Sequence, residues 1–343
     1  MPTQRRALLV SRPARRYASI ATHLESWELR QPFATARDCI THLPVLLLEL
    51  TGREGARGRA EAAGVDYHGE TPESMAAQLA SIQRHLHDGV SGEDLLELLP
   101  AGGARNALDC ALWDLRAKEG GVPAAATAGL APLRAVATAL TIGLGSESAT
   151  RLRARAAQSY PVLKLKLDAE RHIDIIRIVR EECPAARVLV DANEAWSRSL
   201  LERLLPQLQV LGVELIEQPV ARGDDESLDG LHPALPLAAD ESCSDRRSLA
   251  ALIGRYRYIN VKLDKCGGLT EALALCNEAT RHGLELMVGN MCGSSLAMAP
   301  AFLVAQRCRY VDLDGPLLQR LDRSPPIRYE HGLMYPPARA LWG

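Results

Sequence analysis

With 343 residues, 47% of them hydrophobic, and a formal net charge of −2, the chain has material for one large domain and a smaller one. So balanced a charge gives no electrostatic reason to expect nucleic acid or an anionic membrane as partner, and the longest apolar stretches are strand-length, too short to cross a bilayer. The eight cysteines are scattered, with no CxxC and no Cys/His cluster, which argues against a zinc site or a disulfide framework and for a reducing, cytoplasmic compartment.

In chain order, residues 1–16 are basic, but the apolar piece 7–10 is too short for a secretory signal and reads as a frayed extension. Residues 45–50, followed by the Thr51-Gly52 turn signal, predict one arm of an antiparallel meander. Helices are predicted over 72–87 and 104–118. In the second, Leu108, Ala111, Leu112 and Leu115 fall on one face, and Gly120, Gly121 and Pro123 stop it. From Ala135 onward strands and helices alternate. A first strand is expected over 135–142, then at Val162–Lys166, Arg187–Asp191, Val213–Glu217, 235–240 and 258–262, with two more ending near Gly289 and Asp312. The central runs read as strands buried on both faces, the mark of a parallel sheet covered by helices, and eight strands make a (β/α)₈ barrel. The expected division is an N-terminal part over 1–130, a barrel over 131–314, and a segment over 315–343 that returns to the first part.

Five charged residues end five successive runs: Lys166, Asp191, Glu217, Asp240 and Lys262, separated by 25, 26, 23 and 22 positions. That is about the length of a strand, a helix and their loops. The C-terminal ends of barrel strands open on one face, where active sites lie, so three carboxylates stand side by side with a lysine on either flank. Any one of them alone reads as the cap of the helix that follows. Capping explains neither the regular succession nor the Glu. Convergent carboxylates repel one another unless a divalent cation lies between them, and a sparse set of hard oxygen donors suits Mg²⁺.

Lys164 and Lys166 alternate along their strand and so share a face, among Val162, Leu163 and Leu165. Two buried ammonium groups are costly without a purpose. Lys265 stands three residues after Lys262, and a cation beside a cation has its pKa lowered, toward the roughly 7–8 useful in a general base. Lys166 and Lys262 flank the carboxylate-bearing strands and can face each other across a bound carbon acid. A metal-held carboxylate stabilises the enediolate left by removal of the α-proton. Two bases on opposite faces then invert the stereocentre, which is racemisation or epimerisation.

These residues resemble the enolase superfamily, and within it the muconate-lactonizing-enzyme-like subgroup. That subgroup carries Lys-x-Lys on the second strand, Asp, Glu and Asp metal ligands on the third to fifth, and Lys on the sixth. Mandelate-racemase-like members place a His after the seventh strand, where this chain has Gly289-Asn290-Met291. The resemblance runs from about residue 17 to the C-terminus and implies an α/β fold, a modified (β/α)₇β barrel with an N-terminal α+β capping domain. At the eighth strand, Tyr310-Val311-Asp312-Leu313-Asp314-Gly315 is similar to the Asp-x-Asp motif with which the subgroup's dipeptide epimerases bind an α-ammonium. A turn Asp before Gly explains Asp314 alone, but not the pair. Residues 99–102, 104–115 and 259–265 are similar to the same epimerases.

The resemblance implies Mg²⁺-dependent epimerisation of L-Ala-D/L-Glu and similar dipeptides, as in murein peptide recycling. Lys166 and Lys262 would be the two bases, Asp191, Glu217 and Asp240 the metal ligands, and Lys164 a charge near the substrate carboxylate. Asp312 and Asp314 would hold the ammonium. Arg37, after Pro32-Phe33, would meet the glutamate carboxylate, a contact whose bidentate geometry Lys cannot give. The loop over 64–69 would close over the site, with Tyr67 as lid. The runner-up, o-succinylbenzoate synthase or N-acylamino acid racemase chemistry, shares the lysines and the ligands but binds no free ammonium. A Schiff-base aldolase with covalent Lys166 or Lys262 leaves the carboxylates without a role, as does a non-catalytic barrel. The oligomeric state is left open, a homo-oligomer included.

Overall fold

The computed structural model of the protein describes residues 18–35 and 39–343; Arg37 lies outside them. The chain opens with a three-stranded antiparallel meander, β1 (Ser19–Ala34), β2 (Cys39–Thr51) and β3 (Arg57–Ala62). The apolar stretch predicted as one arm is the buried half of β2, with Val45, Leu46, Leu48 and Leu50 sealed from solvent. β1 leaves most of its residues exposed, so its sequence carries no apolar alternation to announce it.

Four helices follow: α1 (Pro72–Ser81), α2 (Gln83–Asp88), α3 (Gly92–Leu98) and α4 (Gly103–Gly120). The single helix expected over 72–87 is broken at Ile82, whose backbone (φ −101, ψ 9) leaves the helical region. α1 begins on a reciprocal Thr71/Ser74 cap with Pro72 in its first turn. α4 buries Leu108, Ala111, Leu112 and Leu115 against the meander. It approaches β3 so closely that a Cβ on Gly58 would lie 2.2 Å from the Ala111 carbonyl oxygen.

The run expected as one barrel strand over 135–142 is split in two. β4 (Val136–Ala137) pairs antiparallel with Leu333–Met334 of the tail, whereas β5 (Leu140–Ile142) pairs parallel with β6 (Val162–Lys166). The switch falls between them: Thr138 N–H donates to Gly332 O of the tail, and Ala139 N–H to Val311 O of the last barrel strand. After β6 come β7 (Arg187–Asp191), β8 (Val213–Glu217), β9 (Leu237–Ala239), β10 (Tyr258–Val261), β11 (Glu285–Val288) and β12 (Tyr310–Val311), each parallel to its neighbours in chain order. The Ala139–Val311 hydrogen bond joins the last strand to the first. The fold is thus a (β/α) barrel of eight parallel strands behind an N-terminal antiparallel capping domain.

The barrel's side chains are layered. Ala139, Val162, Leu189, Leu215, Ala238, Tyr258, Met287 and Tyr310 pack together as an apolar floor, one residue from each strand or its start. Two residues further along each strand the side chain returns to the same face. Those positions are Thr141, Lys164, Asp191, Glu217, Asp240, Asn260, Gly289 and Asp312. A polar ring therefore stands directly on the apolar floor, at the end of the strands where barrel sites form.

The capping domain is tied to the end of β10. Arg105 of α4 donates to Cys266 O (2.7 Å) and Gly267 O (3.2 Å). Asp109 accepts from Thr270 N and Oγ1 at the start of helix Leu269–Arg281, a cap supplied by another element. Asp264 accepts from Gly64 N (3.0 Å). The tail closes on the same side: Trp342 is buried and its Nε1 donates to Cys110 O, while Arg323 pairs with Glu25 and Glu61. No helix among the described residues is long and apolar enough to cross a membrane.

Candidate active site

Asp191, Glu217 and Asp240 each offer a carboxylate oxygen, and the three oxygens lie within 4.8 Å of one another, all buried. Asp191 and Glu217 are the last residues of β7 and β8, and Asp240 follows β9 directly. The strand period that makes Leu189, Leu215 and Ala238 the floor makes these three the layer above it. Like charges this close need cations. Lys164 supplies one from below, its Nζ 2.8 Å from Glu217 Oε2, 3.1 Å from Asp191 Oδ2 and 2.8 Å from Asp312 Oδ2. Lys166 reaches Asp191 Oδ2 at 2.6 Å on one side, and Lys262 reaches Asp240 Oδ2 at 2.6 Å on the other.

The charges of this cluster set its protonation. Burial alone would raise Asp191 and Asp240. Lys166 and Lys164 hold the first, and Lys262 and Lys265 the second, well below the usual carboxylate range. Glu217 goes the other way, pushed up to about 8 by burial and by Asp191, with Lys164 only partly offsetting them. The expected depression of Lys262 by Lys265 is not found. Burial does pull Lys262 down, but Asp240 outweighs it and holds the ammonium above its ordinary value. Lys265 is turned away to Asp240 Oδ1 (2.5 Å) and Asn260 O (3.1 Å), so it acts as a brace for that carboxylate.

Lys166 and Lys262 both open onto a cavity of about 320 Å³ between the barrel mouth and the capping domain. Asn193, Asn290, Met291 and Cys292 share its barrel wall, and Phe33, Ile40 and Leu43 form part of the wall from the meander. Gly289 is needed there: a Cβ would stand 2.7 Å from Asn260 Oδ1 and 3.1 Å from Lys262 Cε. Lys164 is too deep to reach the cavity, at 1% exposure. Asp312 and Asp314 are buried beside it, joined through Thr141, whose Oγ1 donates to Asp312 (3.3 Å) and whose N–H donates to Asp314 (2.7 Å). Burial and Asp312 push Asp314 up to about 6. Asp66 of the 64–69 loop reaches the cavity wall. Tyr67 lies with its ring 4.7 Å from the Arg222 guanidinium, whose Nη2 donates to Tyr67 O (3.2 Å), binding that loop to the barrel.

Several residues at the mouth carry roles that the sequence did not single out. Asn260 donates to Glu217 Oε1 at 2.8 Å; its place two residues before Lys262 on a strand was the available signal. Cys292 sits among the charges of Asp314, Lys166, Asp312 and Lys262, and burial and Asp314 push its thiol up to about 12. Asn193 (φ 42), Glu194 (φ 70), Gln218 (φ 34) and Cys292 (φ 64) all adopt the left-handed conformation just past a strand end. Such backbone persists where surrounding contacts over-determine it, commonly at functional sites.

Residues 17–129 match the family model described as mandelate racemase / muconate lactonizing enzyme, N-terminal domain, and residues 147–340 match the one described as enolase C-terminal domain-like. The chain is 39% identical over 316 residues to the L-Ala-D/L-Glu epimerase of Escherichia coli K12, covering 91% of this chain and 97% of that protein. It is 44% identical over 250 residues to the N-acetyl-D-glutamate racemase of a Pseudoalteromonas species, covering 73% and 79%. Its structure is similar to that of a dipeptide epimerase from Methylococcus capsulatus solved in complex with Mg and the dipeptide L-Arg-D-Lys. The TM-score is 0.88 and the identity 32%, over 95% of this chain and 99% of that one.

Proposed function

Because the chain belongs to the mandelate racemase / muconate lactonizing enzyme family of the enolase superfamily, we propose that it is an isomerase epimerising L-Ala-D/L-Glu and similar dipeptides with Mg²⁺ as cofactor. The observation that carries this reading is the placement of two lysines on opposite flanks of three buried, convergent carboxylates, both opening on one cavity. The relatives named for dipeptide epimerisation support the substrate class.

The donor set fits the ion. Asp191, Glu217 and Asp240 are hard oxygen donors, buried and converging, with no thiolate or imidazole among them. When bound, Mg²⁺ supplies the positive charge that stabilises the enediolate form of the substrate's carboxylate. The protein's own residues do the rest. Lys166 and Lys262 face the α-carbon from opposite sides; the one present as the free amine removes the proton and the other, as its ammonium, delivers one to the far face, inverting the centre. Lys164 fixes Asp191, Glu217 and Asp312 in place by touching all three. Asp312 and Asp314 provide the negative charge for the α-ammonium of the N-terminal residue. Arg37 is assigned to the glutamate side chain from its sequence position alone. The meander and the 64–69 loop form part of the cavity wall, and Tyr67 under Arg222 ties that loop to the barrel. The peptide fragments of murein are the natural source of such a dipeptide. Cys110, Cys183, Cys243, Cys266 and Cys276 are buried as free thiols, which supports a cytoplasmic setting.

One observation favours a second reading, racemisation of an N-acylated glutamate: the 44% identity to a racemase of that kind. The two readings part at the α-nitrogen, which is cationic in the dipeptide and neutral in the acylated amino acid. The metal assignment is common to both and is tested by exhaustive EDTA treatment, which should abolish turnover until Mg²⁺ is restored. Glu217→Gln should lower turnover by orders of magnitude. Full activity after chelation contradicts the assignment.

A further inference from the structure

Joined to the carboxylate-bearing backbone, and outside the cavity lining, is a buried polar chain that ends on a residue outside the proposed machinery. Gln218 follows Glu217 and is itself fully buried. Its Oε1 accepts from the backbone N–H of Asp240 (2.8 Å) and of Ser242 (3.2 Å). Its Nε2 is shared among Val220 O (2.9 Å), Ser242 Oγ (2.9 Å) and Tyr256 OH (3.3 Å). Both hydroxyls in turn donate to Asp225 Oδ1, each at 2.7 Å. Asp225 is buried, and its other oxygen accepts from Gly223 N at 3.3 Å.

The direction of this chain is set at its far end. An ionised carboxylate only accepts, and a hydroxyl has a single proton to give. Ser242 and Tyr256 therefore spend their protons on Asp225 and turn lone pairs toward Gln218. The amide must answer with its NH₂, which leaves its carbonyl facing the N–H groups of Asp240 and Ser242. The reverse amide orientation would set NH₂ against two N–H donors and leave all of them unpaired in the interior, a costly state. Burial and Asp225 raise the Tyr256 phenol above its ordinary value, so it stays a donor. The backbone of Gln218 is held at φ 34, which fixes where that amide stands.

We propose that Asp225 is a positioning residue for the metal centre: through Ser242, Tyr256 and Gln218 it fixes the backbone that presents the Asp240 carboxylate. The proposal rests on Asp191, Glu217 and Asp240 holding Mg²⁺. Residues one contact removed from metal ligands typically change metal affinity by about 10–100-fold when lost. Asn at position 225 keeps the shape but can turn an NH₂ toward the hydroxyls, so the direction is no longer enforced.

The test is a calorimetric titration of the full-length protein with Mg²⁺ alone, alongside thermal unfolding. The variants are Asp225→Asn, Tyr256→Phe and, as control, Asp229→Asn at the exposed Arg255 pair. Asp225→Asn should weaken Mg²⁺ binding by about tenfold or more, Tyr256→Phe by a smaller factor in the same direction, and Asp229→Asn not at all. A role confined to stability would lower the unfolding midpoint and leave the Mg²⁺ affinity of the folded protein unchanged. An affinity within twofold of the parent in Asp225→Asn overturns the proposal. Should that variant not fold, the same result in Tyr256→Phe overturns it. A parent chain that binds no Mg²⁺ overturns the metal reading itself, whereas a binding parent with unaltered variants overturns only the relay.

Discussion

Lys166 and Lys262 each stand 2.6 Å from a carboxylate oxygen, Asp191 and Asp240 respectively, so the flanks of the cavity mirror one another in chemistry. That symmetry is what a two-base inversion requires. Lys166→Ala or Lys262→Ala should abolish epimerisation yet leave, in D₂O, exchange of the α-proton from the one diastereomer that faces the surviving lysine. Proton NMR of each diastereomer separately reads this directly. Epimerisation near the parent rate in either variant contradicts the assignment. These residues were legible in the sequence because a charge that interrupts an apolar strand must have a reason to be there. Gln218 and Cys292 were not. Their parts depend on left-handed backbone and on partners from distant elements, neither of which leaves a local pattern. The pairing of Lys265 with Asp240 escaped for a related reason, since spacing alone put it beside Lys262 and said nothing of which carboxylate it would find.

The elements around the site were legible in proportion to their burial. Strands β6 to β8 fall where short, largely apolar runs end in charge, because nearly all of their residues are buried. β1 is exposed along most of its length and shows no such run, and the 135–142 stretch serves two sheets in succession, which a periodicity cannot reveal. The joint between capping domain and barrel rests on buried carboxyls, Asp264 foremost. Burial pushes it up to about 7, from 3.8 in the unfolded chain, despite the hydrogen bonds from Gly64 N and Asn106. The folded protein then binds that proton more tightly than the unfolded one. The stability it contributes is complete below about pH 4 and is lost as pH rises through about 7. Asp264→Asn should therefore flatten the decline of the unfolding midpoint between pH 4 and 7. An unchanged slope in the variant sets this carboxyl aside as the source.

At the scale of the whole molecule, the tail packs back onto the capping domain. Trp342 is buried with its indole N–H on Cys110 O, and the Gly343 N–H meets Asp114. Trp342→Ala should cost about 3–5 kcal/mol in chemical denaturation, the usual loss for a large buried ring. A cost below about 1 kcal/mol would show that this end of the tail is not part of the core. In the proposed reading, Asp312 and Asp314 meet the dipeptide's ammonium and the two lysines its α-carbon. The most direct test of the proposed function offers the purified protein, with Mg²⁺ in D₂O, L-Ala-L-Glu and N-acetylglutamate in separate tubes followed by proton NMR. The glutamyl α-proton of the dipeptide should exchange while the second diastereomer appears, with N-acetylglutamate turned over far more slowly. Rapid racemisation of N-acetylglutamate, with the dipeptide left intact, contradicts the proposed function.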